Sequence, residues 1–330
     1  MGTHKDESES RVPHMIVEVC QNHSGERKIL QEMVHAAAEA GAKYVKMQTI
    51  FSEDLTFRER FETGKDNKGN DIAIKRPYEP ELVRLKGLDL TEEDHGFFVE
   101  TCRRHAVLPL TTAFSRGRVG LVYRHGFAGV KVASYDCASY PLLRELRDRF
   151  EFLVVSTGAS YDHEIATAAR ILRNRRFAFL HCVTIYPTPL DQLHLRRMSW
   201  LRQFTPLVGF SDHTLVERDG IIAAKAALWQ EADFVERHFT IQDRSKTKDG
   251  PVSIDPKQLK ELVEFTKLTN EEQGKEVRGA VRDVEPLLGR ETREMTETEL
   301  RNRDYYRGRF ATKRGDRVIY NWEEVETPVV

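Results

Sequence analysis

Residues 206–214 read PLVGFSDHT, and residues 233–240 read DFVERHFT. In each stretch a short apolar run ends in polar residues that include a histidine, His213 in the first and His238 in the second. Runs of this length, bounded by turn residues, read as strands buried on both faces. The intervening residues 217–230 have helical spacing, so the two strands read as parallel neighbours joined by a helix. In a barrel of parallel strands the carboxyl ends converge on one face. Two imidazoles at that face can hold a divalent metal and leave positions open for substrate.

The same rhythm extends in both directions from this pair. Apolar runs at 15–20, 43–49, 106–112, 129–134, 152–157 and 177–183 precede it. Helical patterns fall at 27–41, 92–105, 116–125, 141–149, 161–174 and 192–204, with another at 256–270. Eight strands alternating with helices predict an α/β fold, a closed (β/α)8 TIM barrel followed by a C-terminal extension. The 330 residues accommodate a barrel of about 250 residues and more besides. An open, doubly wound sheet is the competing architecture. No GxGxxG follows the first strand, which argues against a dinucleotide site.

The expected divisions are a disordered polar tail at 1–14, the barrel at 15–275 and the extension at 276–330. Residues 51–90 break the rhythm with Gly64, Gly69, Pro77 and Pro80. They read as a long loop after the second strand, either a lid on the catalytic face or a floppy insertion. The extension, with RNRDYYRGRFATKRGDRVIYNWEE at 301–324, reads as turn-rich.

A formal net charge of −1 favours neither nucleic acid nor an acidic membrane as partner. No apolar stretch reaches the roughly 18 residues of a membrane span. The four cysteines, Cys20, Cys102, Cys137 and Cys182, form no CxxC. They read as free thiols in a reducing compartment, with Cys20 and Cys182 as small apolar fillers, and the expected setting is cytoplasmic.

Polar residues recur at the same end of strand after strand, where apolar ones are expected. They are Glu18, Lys46 and Gln48, Thr112, Lys131, Ser134 and Asp136, Ser156, Ser211 and Glu236. Each is weak alone, since a buried hydroxyl usually caps backbone and a lone histidine is usually a satisfied core residue. Together they make chemical sense. Lys46 and Lys131, with hydroxyls from Thr112, Ser134, Ser156 and Ser211, form a pocket for phosphate or carboxylate. His213 and His238 place a metal beside it, and Glu18 and Asp136 carry protons.

The strings VEVCQNHSG (17–25), AGAKYVKMQT (40–49), LTTAFSR (110–116), GVKVAS (129–134), VVSTGAS (154–160), LHCVTIYPTP (180–189), VGFSDHT (208–214) and VERHFT (235–240) resemble the sialic acid synthase family. Those enzymes make N-acetylneuraminate and related nonulosonic acids. The resemblance spans residues 15–255, one string per strand. It implies condensation of phosphoenolpyruvate with an N-acylated mannosamine-type sugar, with release of phosphate. It also implies a divalent metal, typically manganese, on His213 and His238. The phosphoenolpyruvate pocket maps onto Lys46, Thr112, Lys131, Ser134, Ser156 and Ser211. Acid/base and sugar contacts map onto Glu18, Gln48, Asp136 and Tyr186. A homodimer is implied as well.

The chain departs from the family pattern at three places. Tyr135 stands before Asp136, where many relatives have glycine. In TKDGPVSIDP (247–256), Asp249 takes the place of the usual sugar-binding acid. Residues 300–330 do not read as the antifreeze-like domain with which the family ends, and which hands an arginine to the partner subunit's sugar. Arg307 and Arg309, in YYRGRF, are the candidates to fill that role. Three other readings stay open: condensation with a different aldose, a Schiff-base lyase acting through Lys131 or Lys46, and a catalytically dead scaffold barrel.

Overall fold

The structure, a computed structural model, describes residues 12–66 and 68–324. Eight parallel strands close into a barrel: β1 (His14–Cys20), β2 (Tyr44–Thr49), β3 (Leu108–Ala113), β4 (Gly129–Val132), β5 (Phe152–Ser156), β6 (Arg176–Cys182), β7 (Val208–Asp212) and β8 (Phe234–His238). β1 pairs with both β2 and β8, so the barrel has no free edge. All eight runs read from the sequence are present. The expected tail, 1–14, lies outside the described residues as far as residue 11, and its last residue, His14, already opens β1.

Side chains on the strands alternate between two apolar layers. The outward set, including Val17, Val45, Val130 and Val155, packs against Leu30, Phe98, Leu142 and Ile165 of the surrounding helices. The inward set fills the lumen with Ile16, Tyr44, Leu110, Phe152, Val154, Ala178, Leu180 and Phe234. Gly209 of β7 permits this closure. A Cβ there would stand 2.1 Å from the Phe234 carbonyl oxygen and 2.8 Å from Leu180 Cδ2.

Two of the expected helices are broken. Residues 217–230 divide at Gly220 (φ +56°) into Val216–Asp219 and Ile222–Trp229. Residues 192–204 shrink to the helix Arg197–Leu201, because His194 adopts a left-handed backbone, φ +52°. The break at 51–90 is real, but the segment is packed rather than floppy. It carries helices Arg60–Thr63 and Tyr78–Lys86, and Leu55, Leu85 and Phe310 share one apolar cluster with Ile50.

The boundary expected at 275/276 falls inside a helix, Asn270–Ala280, and the extension is more helical than its composition indicates, with further helices at Glu285–Leu288 and Glu297–Tyr306. Capping boxes Thr269–Glu272 and Thr296–Glu299 start the first and last of these. A hairpin of β9 (Thr312–Arg314) and β10 (Arg317–Ile319) follows. The extension is stitched to the 51–90 segment. Thr56 N–H donates to the Arg309 carbonyl at 3.0 Å, Ala311 N–H to that of Asp54 at 2.9 Å, and Phe61 packs edge-on against Tyr305. Among the described residues, no helix is long and apolar enough to cross a membrane.

Candidate active site

At the carboxyl ends of the strands the lumen changes character. Continuing inward by steps of two, Ile16 is followed by Glu18, Tyr44 by Lys46 and Gln48, and Leu110 by Thr112. Gly129 is followed by Lys131, Val154 by Ser156, Gly209 by Ser211, and Phe234 by Glu236 and His238. These polar ends line a cavity of about 290 Å³. The candidates Ser134, Asp136, Tyr186, His213 and Asp249 line it too, from the loops that follow the strands, and Arg309 does so from the extension. Arg307 is not brought there. Its guanidinium lies over the Trp322 ring, 5.0 Å from the centroid, in a separate surface groove with Arg60 and Asp304. Between the two arginines the chain turns at Gly308, whose backbone is left-handed, φ +78°.

The floor of the cavity is an ionic network. Lys46 contacts the Glu18 carboxylate and donates to Thr112 Oγ1 at 2.9 Å. Lys131 Nζ lies 3.4 Å from Glu236 Oε1, which also accepts from Ser211 Oγ at 3.1 Å. All four charged groups are buried. Burial pushes the Lys46 ammonium down to about 7, with Glu236 opposing the shift. Burial also works against Glu236, yet Lys131 and Lys46 hold its carboxyl below the usual range. The other Glu18 oxygen accepts the Cys20 N–H at 2.6 Å, so both of its oxygens are engaged. Ser156 Oγ and Glu236 Oε2 are buried with no hydrogen-bond partner among the described residues. An anion with several oxygens would supply partners to the lysines and to Ser156.

His213 and His238 sit together, ring centroids 5.3 Å apart, and Tyr186 lies over His213 at 4.2 Å. Burial pushes both imidazoles down, most strongly His213, so they are neutral. The Nδ1 atom of each is buried without a partner among the described residues. Neutral rings with free nitrogens suit a divalent cation. Cys20, His238 and Asp249 each present one ligand atom, all within 4.8 Å of one another. The donor set therefore fits a metal. Cys20, expected from the sequence as an apolar filler, is fully buried, and Cys182 lines the cavity.

Asp136 forms the outer wall. Its Oδ1 accepts from Ser139 Oγ at 2.7 Å and from Asn321 Nδ2 at 3.1 Å, and burial pushes its carboxyl up. Asn321 belongs to the extension and also donates to the Phe114 carbonyl at 2.9 Å. Tyr135 stacks on Tyr306, centroids 4.9 Å apart, and so narrows the site from one side. At the rim, Arg84 donates to both oxygens of Glu81 at 2.9 and 3.0 Å, and Arg309 contacts the same carboxylate. Lys248 beside them is pushed down to about 8 by burial, with Arg309 and Arg84 adding to the shift and Glu81 opposing it.

The sequence reading missed Asn321, Tyr306, Arg76, Arg84 and Lys248. Tyr306, Arg76, Arg84 and Lys248 line the cavity and Asn321 reaches Asp136, all from segments outside the barrel strands, which strand periodicity does not report. Glu236 was visible at its strand end but carried no assigned role.

The profile of the NeuB family matches residues 33–278. An N,N'-diacetyllegionaminic acid synthase of Legionella pneumophila is 29% identical over 304 residues, 90% of this chain and 79% of that protein. An N-acetylneuraminate-9-phosphate synthase of Homo sapiens is 26% identical, over 87% of this chain and 74% of that protein. Among solved structures, the spore coat polysaccharide biosynthesis protein spsE of Bacillus subtilis superposes with a TM-score of 0.67 at 27% identity, over 89% of this chain and 77% of that one. With the family profile matched over well more than half of its length, the chain belongs to the NeuB family.

Proposed function

We propose that the protein is a transferase that condenses phosphoenolpyruvate with an N-acylated mannosamine-type sugar, giving a nonulosonic acid and phosphate. The carrying observation is the floor of the lumen, where two buried lysines and an unpartnered Ser156 hydroxyl lie beside two neutral imidazoles.

In this reading Lys46 and Lys131 balance the anionic cosubstrate, and Thr112, Ser134, Ser156 and Ser211 donate to its oxygens. Glu18, held between Lys46 and the Cys20 N–H, fixes the lysine rather than moving a proton. His213 and His238, with Asp249 alongside, would hold the divalent cation. When bound, that cation supplies Lewis acidity to the acceptor carbonyl. Carbon 3 of phosphoenolpyruvate forms a bond to the sugar's aldehyde carbon, and positive charge develops at carbon 2. Water adds there, one of its protons ends on the former aldehyde oxygen, and the new hydroxyl at carbon 2 becomes the ketone as the bond from carbon 2 to the phosphate oxygen breaks and the phosphate carries off the remaining proton. Asp136, ionised, takes the proton of that water, and Ser139 and Asn321 hold its carboxylate in place. Gln48, Tyr186 and Arg309 face the acceptor end of the cavity. Manganese, a homodimer and a cytoplasmic setting go with this reading, the last supported by four free, buried cysteines.

A second reading keeps the chemistry and changes the acceptor, and it is favoured by the stacked Tyr135 and Tyr306 that narrow the site. Phosphate release from phosphoenolpyruvate with manganese tests both. The acceptor panel contains N-acetylmannosamine, 2,4-diacetamido-6-deoxy hexoses, and arabinose and erythrose phosphates. Release that depends on an N-acyl hexose supports the first reading, and release only with another aldose supports the second. No release from folded, metal-loaded protein would sink both.

A further inference from the structure

Cys20 ends β1 at a place where the strand is distorted. Pairing with β2 shifts register between Glu18 and Cys20. The backbone of Cys20 itself is left-handed, φ +41°, a conformation that a side chain bearing a Cβ avoids. Strain of this kind persists only where surrounding structure over-determines it, and it concentrates at functional sites. The Glu18 side chain fastens the kink by accepting the Cys20 N–H at 2.6 Å.

The kink sets the thiol among metal-ligating groups. Cys20 Sγ, a ring nitrogen of His238 and a carboxylate oxygen of Asp249 all lie within 4.8 Å of one another. His238 Nδ1 is fully buried without a partner among the described residues. A plain core cysteine needs neither a strained backbone nor two ligating neighbours from β8 and the loop after it.

We propose that Cys20 is an additional, thiolate ligand of the metal, forming with His238 and Asp249 a sulfur–nitrogen–oxygen group beside His213. This inference rests on the metal-dependent reading above. Its consequence is a change of preference. Thiolate favours softer ions, so the site binds zinc, cobalt(II) and iron(II) more tightly than the manganese used in the release assay, which it still takes up. Binding exchanges the thiol proton for the cation and releases that proton to solvent.

The test is optical. The full chain is stripped with a chelator and loaded with cobalt(II), and bound metal is counted by elemental analysis. A sulfur-to-cobalt charge-transfer band in the near ultraviolet is expected, and it should disappear in Cys20→Ser. Zinc affinity of that variant should fall at least about tenfold, the lower end of what a coordination-shell change costs. Cys182→Ser should keep the band, which assigns it to Cys20 rather than to the other cysteine at the cavity. If Cys20→Ser does not fold, X-ray absorption of the zinc-loaded natural chain decides, with one sulfur expected at about 2.3 Å. Bound metal with only nitrogen and oxygen neighbours, or a band undiminished in Cys20→Ser, would overturn the proposal. Phosphate release that persists in either case would leave the proposed reaction standing. A natural chain that binds no cobalt would overturn the proposal, and the release assay would then judge the reaction separately.

Discussion

The lower and upper halves of the barrel lumen are made by the same strands, two residues apart, and they obey opposite rules. Below, Ile16, Tyr44, Leu110, Val154 and Phe234 form an apolar plug. Above, Glu18, Lys46, Thr112, Ser156 and Glu236 form a buried polar layer whose charges cost solvation. The plug holds the barrel closed, and the upper layer is where stability is given up for chemistry. Substitutions in the two halves should therefore separate folding from turnover.

The largest expected effect is in the plug. Phe234→Ala should cost about 3–5 kcal/mol, read as a lower denaturant midpoint, and a loss well below that would mean the plug is loosely packed. In the upper layer the double variant Lys131→Met/Glu236→Leu should keep or raise the melting temperature, because a buried ion pair gives way to apolar groups of similar size. Its kcat should fall at least about 10²–10³-fold, the loss seen when a charge-stabilising group is removed. A double variant with a lowered melting temperature and an unchanged kcat would reverse the comparison.

Next in size is a pH effect from Lys46. Its ammonium is charged below about 7 and loses its proton above, so it binds the anionic cosubstrate well at low pH and poorly at high pH. kcat/KM for phosphoenolpyruvate should fall above pH about 7, approaching tenfold per pH unit. Lys46→Arg keeps the charge at all these pH values and should move the alkaline limb upward. A limb that stays put belongs to another group.

The smallest expected effect concerns the wall. Asn321→Ala removes a hydrogen bond that favours the ionised Asp136. The Asp136 carboxyl should rise further, moving the acid limb of kcat/KM to higher pH. The loss near neutrality should be about two- to tenfold, the worth of one hydrogen bond. An unchanged profile would show that the extension covers Asp136 without tuning it.

How far the sequence carried follows the same division. The continuous apolar runs, among them those ending at His213 and His238, and the strand-end lysines were legible because each is local. The broken helices were not, since the left-handed turn at His194 follows no residue pattern. The helix Glu297–Tyr306 was hidden because it has no apolar stripe and is held by its cap and by Tyr305 packing on Phe61. Choosing Arg309 over Arg307 required knowing which side of the chain faces the 51–90 segment. Cys20 passes for a small apolar residue until the kink in β1 shows where its thiol points.

The central claim is that the upper layer drives carbon–carbon bond formation with water adding at carbon 2. Phosphoenolpyruvate carrying oxygen-18 in its bridging position, turned over with an N-acyl hexose and analysed by mass spectrometry, tests it most directly. The account predicts the label in the released phosphate and a new 2-keto acid without it. Label retained in the organic product, or phosphate released without any acceptor, would contradict it.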